Sequence, residues 1–281
     1  MPLVPVRDLL AAAAAGPGAL LAFNAVTLEH VQGVVTGAER AGRPVVVAVS
    51  QNAVRYAGGD PAPLAAAAVA VAQRSATPVG LHLDHVEDER LLRRTAEIGF
   101  SSVMVDASAL PYDANVAKTR AAVAWAAGHG VLVEAELGQV GGKDGRVLDA
   151  HAPGARTDPR EAAAFVAATG VQALAVAVGS SHAMTSRTAS LDLELVAALA
   201  SAVDVPLVLH GSSGVPDDVL AAGVAAGLVK VNVGTLLGVA FTAAVREVLA
   251  DEAVVDPRTY LRPAREAVAA QVARTLALLG T

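Results

Sequence analysis

Short runs of apolar, β-branched residues alternate with longer alanine-rich stretches in which apolar positions recur every three or four residues. The first pattern predicts strands buried on both faces, and the second predicts helices with one buried stripe. Eight runs read as strands: Leu20–Val26, Val45–Ser50, Val79–His85, Ser101–Ser108, Val131–Gly138, Ala173–Gly179, Pro206–Gly211 and Leu228–Thr235. Between them, Leu28–Gly42, Pro63–Ser75, Glu87–Gly99, Asn115–His129, Asp158–Thr169, Asp192–Val203 and Pro216–Gly227 read as helices. Thr157-Asp158-Pro159 supplies a cap and an early proline to one of these, and Gly42, Gly99, Gly170 and Gly227 close others. The alternation continues without a linker or a shift in composition. It predicts one domain over residues 1–281, an α/β single-domain (β/α)8 TIM barrel, with an open doubly wound sheet as the alternative.

Leu9 to Leu28 carries no charge, but Gly16-Pro17-Gly18 interrupts it. A spanning helix would be broken there, so the segment reads as a short opening helix followed by a strand, and no membrane partner is expected. Composition narrows the chemistry. The chain of 281 residues is 54% hydrophobic and 17% charged, which demands a folded core, and it contains no cysteine. Disulfides, iron–sulfur clusters, thiolate zinc sites and cysteine nucleophiles are therefore excluded, and histidines and carboxylates must hold any transition metal. A net charge of −6 and an aromatic content of 3% argue against a nucleic-acid partner. Phosphate is not excluded, because backbone amides at helix N-termini bind it without lysine.

In a barrel, chemistry occupies the C-terminal ends of the strands. The unusual polar residues gather there: Asn24, Ser50, His82, Asp84, His85, Asp106, Glu134, Glu136, His182, His210 and Asn232. Any one strand-end histidine is more often a core or loop residue than a ligand, but three, on strands three, six and seven with no cysteine available, invert that balance and suit a catalytic zinc site with an open position. Strand alternation sends His82 and Asp84 to one face and His85 to the other, unless the strand ends at His85. Asp84 then reads as a general acid or base, or as an acceptor orienting a histidine. Glu134 and Glu136 share a face, and read either as a second metal position with Asp106 or as a structural pair with an interior base. Gly211-Ser212-Ser213-Gly214 and Asn232-Val233-Gly234-Thr235 follow strands seven and eight, the usual place for a barrel phosphate site. Two long connections, Gln139–Pro153 and Ser180–Leu191, read as mobile loops over that face.

Phe23-Asn24, Leu81-His82-Leu83-Asp84-His85, Ser101-Ser102-Val103-Met104-Val105-Asp106, Val133-Glu134-Ala135-Glu136-Leu137-Gly138, Gly141-Gly142, Leu209-His210-Gly211 and Lys230-Val231-Asn232 occur in this order. Together they resemble the class II ketose-bisphosphate aldolases, especially the fructose/tagatose-bisphosphate aldolase branch. The resemblance implies a zinc-dependent aldehyde-lyase that reversibly cleaves a phosphorylated ketose to dihydroxyacetone phosphate and an aldehyde. It further implies a cytoplasmic homodimer or homotetramer. By position, His85, His182 and His210 would hold Zn2+, Asp106 and Glu136 would provide a second or alternative divalent site, and a monovalent cation is a further option. Asp84 would move the hydroxyl proton. Asn24, Ser50, Ala183, Gly211, Ser212, Ser213, Asn232, Val233, Gly234 and Thr235 would bind the phosphorylated sugar.

The chain departs from that pattern at Val86 and Ala183, where glycine is usual, across Met184–Ala189, at Ser212, and at Lys143, which leaves Asp144 as the only acid after the Gly141-Gly142 turn. These changes leave open an aldolase acting on another sugar phosphate, such as 5-keto-2-deoxygluconate phosphate, or a non-catalytic sugar-phosphate-binding subunit. A metal-dependent barrel hydrolase would be expected to carry a His-x-His pair on the first strand, and Leu20–Val26 has no histidine.

Overall fold

The computed structural model describes residues 2–138, 140 and 156–280. Apart from Val140, the long connection expected over Gln139–Pro153, with Gly141, Gly142, Lys143 and Asp144, lies outside the described residues. Eight parallel strands close into a barrel in sequence order: β1 (Leu20–Asn24), β2 (Val45–Ser50), β3 (Val79–Val86), β4 (Ser102–Val105), β5 (Leu132–Leu137), β6 (Ala173–Val176), β7 (Leu207–Leu209) and β8 (Leu228–Val233). β8 pairs with β1 through Leu20–Lys230 to Phe23–Val233, which completes the ring and removes every open edge.

The helices are α1 (Val6–Ala14), α2 (Leu28–Ala41), α3 (Gln51–Tyr56), α4 (Ala62–Ala72), α5 (Glu89–Arg93), α6 (Tyr112–Ala127), α7 (Pro159–Thr169), α8 (Leu193–Ala202), α9 (Asp217–Ala225), α10 (Thr235–Val248) and α11 (Pro257–Leu279). Capping is local and legible. Asp158 accepts from the amides of Arg160 and Glu161 at the start of α7, and Gly42 and Gly170 end α2 and α7 in the left-handed conformation.

Two buried layers result. Outward-facing strand residues pack against the helices, while Leu20, Ala22, Val46, Met104, Ala175 and Val208 fill the barrel interior together with Val6, Leu9, Leu10 and Ala13 of α1. α1 thus plugs the barrel with its apolar face. Gly80 makes room for it, since a Cβ there would lie 2.8 Å from Val6 Cγ2.

The structure shortens several expected elements. Strands four and six stop at Val105 and Val176, short of Ser108 and Gly179. The helix expected over Glu87–Gly99 is a single turn and a half, because the buried Thr95 hydroxyl donates to the Leu92 carbonyl and the chain proceeds in turns to Gly99 at φ 81. Among the described residues no helix is long and apolar enough to cross a membrane.

Candidate metal centre and substrate cavity

β3 ends on an irregularity that shapes the site. The β3–β4 register shifts between Leu83 and Val86, and His85 adopts φ 49, a left-handed conformation that is costly for a residue with a Cβ. Strict alternation would place Asp84 and His85 on opposite faces. With this turn both line one cavity.

Ligand-type atoms of His85, Glu136, His182 and His210 lie within 4.8 Å of one another. The carboxylates behind two of these histidines fix their tautomers. His85 Nδ1 is 2.7 Å from Asp106 Oδ2, and His210 Nε2 is 2.9 Å from Glu134 Oε1. A carboxylate only accepts, so both of those ring nitrogens carry hydrogen. The opposite nitrogens, His85 Nε2 and His210 Nδ1, then face each other at 3.0 Å and require a positive charge between them. Burial disfavours a charged His85, yet Asp84, Asp106 and Glu136 outweigh it and push its pKa up to about 9. Burial instead lowers the pKa of His210. Three imidazoles and a carboxylate without thiolate are a donor set that suits a zinc-type divalent ion.

The sequence left Glu134 and Glu136 open between two readings, and the structure separates them. Both are buried on β5, but Glu134 accepts from Lys230 Nζ at 2.6 Å while Glu136 joins the histidine cluster. Asp106, expected at a second metal position, stands behind His85 as its hydrogen-bond partner and outside the four-residue cluster. It also accepts from Ser108 Oγ at 2.8 Å. His82 is fully buried, 2.7 Å from Ser102 Oγ and 3.6 Å from Asp84 Oδ1.

Beside the cluster, a cavity is lined by Asn24, Asp84, Ser181, Ala183, Asn232 and Thr235, together with Gly211, Ser212, Ser213 and Gly234. Asp84 Oδ2 accepts from Asn24 Nδ2 at 2.8 Å and Oδ1 from Asn232 Nδ2 at 3.4 Å. Burial raises the Asp84 pKa, but His85, His82 and His210 hold it well below the usual carboxylate range. The loops after β6, β7 and β8 are tied together. Ser180 Oγ donates to the His210 carbonyl, Ser212 Oγ to the Asn232 carbonyl, and Ser213 Oγ accepts from the Leu236 amide. Gly211, at φ 68, permits this approach, since a Cβ there would lie 2.6 Å from the Ser181 carbonyl carbon. These small residues and the N-terminus of α10 form the kind of surface that binds phosphate.

Two residues expected to contact the sugar do not line this cavity. Val233 is buried in the barrel wall and absent from the cavity surface, as its apolar side chain requires. Ser50 caps α3, its Oγ accepting from the Ala53 amide, and lines a neighbouring compartment. Ala183 is in the left-handed region at φ 59. Met184 packs on Gly214, and Arg187 donates from Nε and Nη2 to the Val215 carbonyl at 3.0 and 2.6 Å. The segment that departs from the family pattern is thereby fastened to the loop after β7. Sequence reasoning missed Ser181, which lines the cavity, and Lys230 as the partner of Glu134. A lone lysine in the apolar run Leu228–Val233, in the parity of Asn232, was the available signal for Lys230.

A closed barrel carrying a divalent-metal donor set beside a phosphate-type loop defines a class: barrel enzymes that act on phosphorylated small molecules. Comparison with known proteins narrows it. Residues 4–281 match the family described as fructose-bisphosphate aldolase class-II. The chain is 38% identical over 273 residues to a probable fructose-bisphosphate aldolase of Bacillus subtilis, covering 95% of this chain and 94% of that one. It is 37% identical to the fructose-bisphosphate aldolase of Geobacillus stearothermophilus, covering 97% and 95%. Among solved structures, the YdjI aldolase of Escherichia coli K12 superposes with a TM-score of 0.86 at 32% identity, covering 99% of this chain and 97% of that one. The chain belongs to the class II fructose-bisphosphate aldolase family, a family of zinc-dependent carbon–carbon lyases.

Proposed function

We propose that this aldolase reversibly cleaves a ketose 1-phosphate of the fructose 1,6-bisphosphate or tagatose 1,6-bisphosphate type to dihydroxyacetone phosphate and an aldehyde. The observation that carries the reading is the convergence of the histidine cluster, Asp84 and the loops after β7 and β8 on one cavity. His85, His182 and His210 would hold zinc, with Glu136 in reach as a further ligand. Zinc, when bound, supplies a Lewis acid for the negative charge that develops beside the ketose carbonyl.

The chain's own residues do the rest. Gly211–Ser213 and Gly234–Thr235 anchor the phosphate of the three-carbon half. Asn24 and Asn232 hold the ionised Asp84 carboxylate at the cavity wall. As the C3–C4 bond breaks, Asp84 takes the proton of the C4 hydroxyl, C4 becomes the aldehyde carbonyl and the bonding pair passes to C3 as an enediolate; a proton drawn from solvent then completes dihydroxyacetone phosphate, and addition reverses each movement. Asp106 and Glu134 keep His85 and His210 in the tautomers the site needs. In this reading the enzyme works as a homodimer or homotetramer.

The test has two parts. The zinc-loaded protein should exchange a hydrogen on the hydroxymethyl carbon of dihydroxyacetone phosphate, the carbon that becomes C3 of the ketose, with solvent deuterium. It should also cleave at least one of fructose 1,6-bisphosphate, tagatose 1,6-bisphosphate and 5-keto-2-deoxygluconate phosphate. Asp84→Asn should lower kcat for cleavage by roughly 10²–10⁴-fold while zinc content stays the same. A zinc-loaded protein showing neither exchange nor cleavage would overturn the reading.

A further inference from the structure

We propose that Arg187 is a positioning residue for the phosphate end of the substrate: its guanidinium clamps the turn after β7 from behind and so fixes where Gly211, Ser212 and Ser213 stand in the cavity wall. The proposal rests on the reading above, in which that turn anchors the phosphate of the three-carbon half.

Among the described residues no lysine or arginine lines the cavity. An anion there is met by backbone and small side chains, which cannot reach after it as a long side chain can. Its binding then depends on the turn being held in one place beforehand. Within the turn the Val215 amide donates to the Ser212 carbonyl at 2.9 Å, but the chain beyond it leaves a carbonyl over. Pro216 has no N–H to offer, and the α9 ladder starts only at the Pro216 carbonyl, which accepts from the Leu220 amide at 2.9 Å. The carbonyl of the fully buried Val215 stands before that ladder and needs a donor from elsewhere.

Arg187 supplies that donor. Nε and Nη2 both donate to the Val215 oxygen, at 3.0 and 2.6 Å, and Nη2 also lies 2.5 Å from Asp217 Oδ1. The guanidinium thus bridges the residues on either side of Pro216 with a planar fork that an ammonium does not reproduce. Asp217 Oδ2 accepts from Arg274 Nη1 of α11 at 2.6 Å, so the clamp is itself anchored on a long helix. Arg187 and then Arg274 hold the Asp217 carboxyl below its usual range, against the partial burial that raises it, and the pair is ionised at neutral pH. Two neighbours of Arg187 press on the same turn. The Ala189 amide donates to the Gly214 carbonyl at 2.9 Å, and Met184 fills the space where a Cβ on Gly214 would stand, 2.5 Å from its Sδ. Gly214, Val215 and Asp217 all lie off the cavity surface, so the clamp grips the turn without touching what binds there. The base of the segment is tied separately, by Ser180 Oγ on the His210 carbonyl, and His182 keeps its place without Arg187.

Calorimetric titration of the zinc-loaded protein with dihydroxyacetone phosphate, and solvent deuterium exchange into it, test the assignment. Arg187→Ala should raise Kd and KM by about tenfold or more, the size of a lost charge-assisted hydrogen bond. Exchange at saturating dihydroxyacetone phosphate should change less than about threefold, because Asp84 and the histidines are untouched. Zinc affinity, measured by competition with a chromophoric chelator, should stay the same. Arg187→Lys, which keeps the charge without the fork, should recover part of the loss. Asp217→Asn should show a smaller loss in the same direction, since it weakens the brace but leaves both donors on Val215. An unchanged Kd in Arg187→Ala would overturn the proposal. So would a fall in zinc affinity by the same factor, which would place the effect of Arg187 on the histidine segment or on the fold at large. A wild-type protein that does not bind dihydroxyacetone phosphate would remove the phosphate reading of the turn, and this assignment with it. One that binds it but neither exchanges nor cleaves would remove the aldolase activity alone, and the Kd of Arg187→Ala would still decide the role of the clamp.

Discussion

Ala183 follows His182 directly and is held at φ 59, where a Cβ crowds the backbone. The left-handed region costs a non-glycine residue about 1–2 kcal/mol. Replacing it by glycine also frees the unfolded chain, which returns about 0.4–1 kcal/mol of that gain. Relief of strain is the larger effect, so Ala183→Gly should stabilise the protein by about 0.5–1 kcal/mol, raising Tm by roughly 1–3 °C. The methyl also lines both the cavity beside the histidine cluster and the neighbouring compartment that Ser50 lines. Thermal melts of the metal-free variant decide the point. A lower Tm would mean that surrounding contacts, not strain, set this conformation. His85 carries the same kind of backbone strain at φ 49, but there the imidazole is needed in the cluster and no such exchange is open.

At the scale of the elements, parity along β3 and β5 made much of the site legible in the sequence, and parity along β8 was the unread signal for Lys230. Asp84 with His82, Glu134 with Glu136, and Lys230 with Asn232 are pairs two residues apart on single strands, and a barrel strand turns both members the same way. Alternation could not show what happens where a strand ends, so the turn that brings His85 beside Asp84 left two outcomes open. It also could not show partners across the barrel, and the Glu134–Lys230 pair is such a contact, made between β5 and β8. Burial raises the Glu134 pKa, but Lys230 and His210 hold it well below the ordinary range. A depressed carboxyl contributes stability above its unfolded value of about 4.3, and that contribution is lost as pH falls through the folded value. Lys230→Met removes the principal counter-charge, and an unpaired buried carboxylate costs about 3–5 kcal/mol. The variant should be destabilised by that order at pH 7, and by less as pH falls and the carboxyl, its pKa now raised by burial, takes up a proton. Urea unfolding between pH 5 and pH 8 measures both. The double variant Glu134→Leu/Lys230→Met should recover most of the stability while binding zinc more weakly, because His210 has lost its anchor. A Lys230→Met protein as stable as the wild type would show that the pair does not hold the barrel interior.

At the scale of the whole molecule, the sequence pattern recovers the closed barrel but not α10 and α11, because the alternation of strand and helix ends with β8. The last helices answer to a different rule, close packing against a neighbour. α11 lies along α2, and its end straps the beginning of the barrel, where the Ala19 amide donates to the Leu279 carbonyl at 2.7 Å and Arg43 Nη1 to the Gly280 carbonyl at 3.2 Å. Gly33 and Gly37, four apart on one face of α2, set the approach. A Cβ on Gly33 would lie 2.7 Å from Val268 Cγ1, and one on Gly37 would lie 2.6 Å from the Ala269 carbonyl oxygen. Two effects oppose each other in Gly37→Ala. Helix propensity favours alanine by about 1 kcal/mol, while overpacking costs about 1–3 kcal/mol. The obstacle is a backbone oxygen rather than a flexible side chain, so α11 as a whole must shift and the steric cost is the larger. Gly37→Ala should therefore lower Tm by roughly 2–6 °C, with deuterium exchange into dihydroxyacetone phosphate unchanged at 25 °C because neither helix face reaches the cavity. A rise in Tm would mean that α11 yields without loss, and that the strap is held by its terminal hydrogen bonds rather than by the close contact of the two helices.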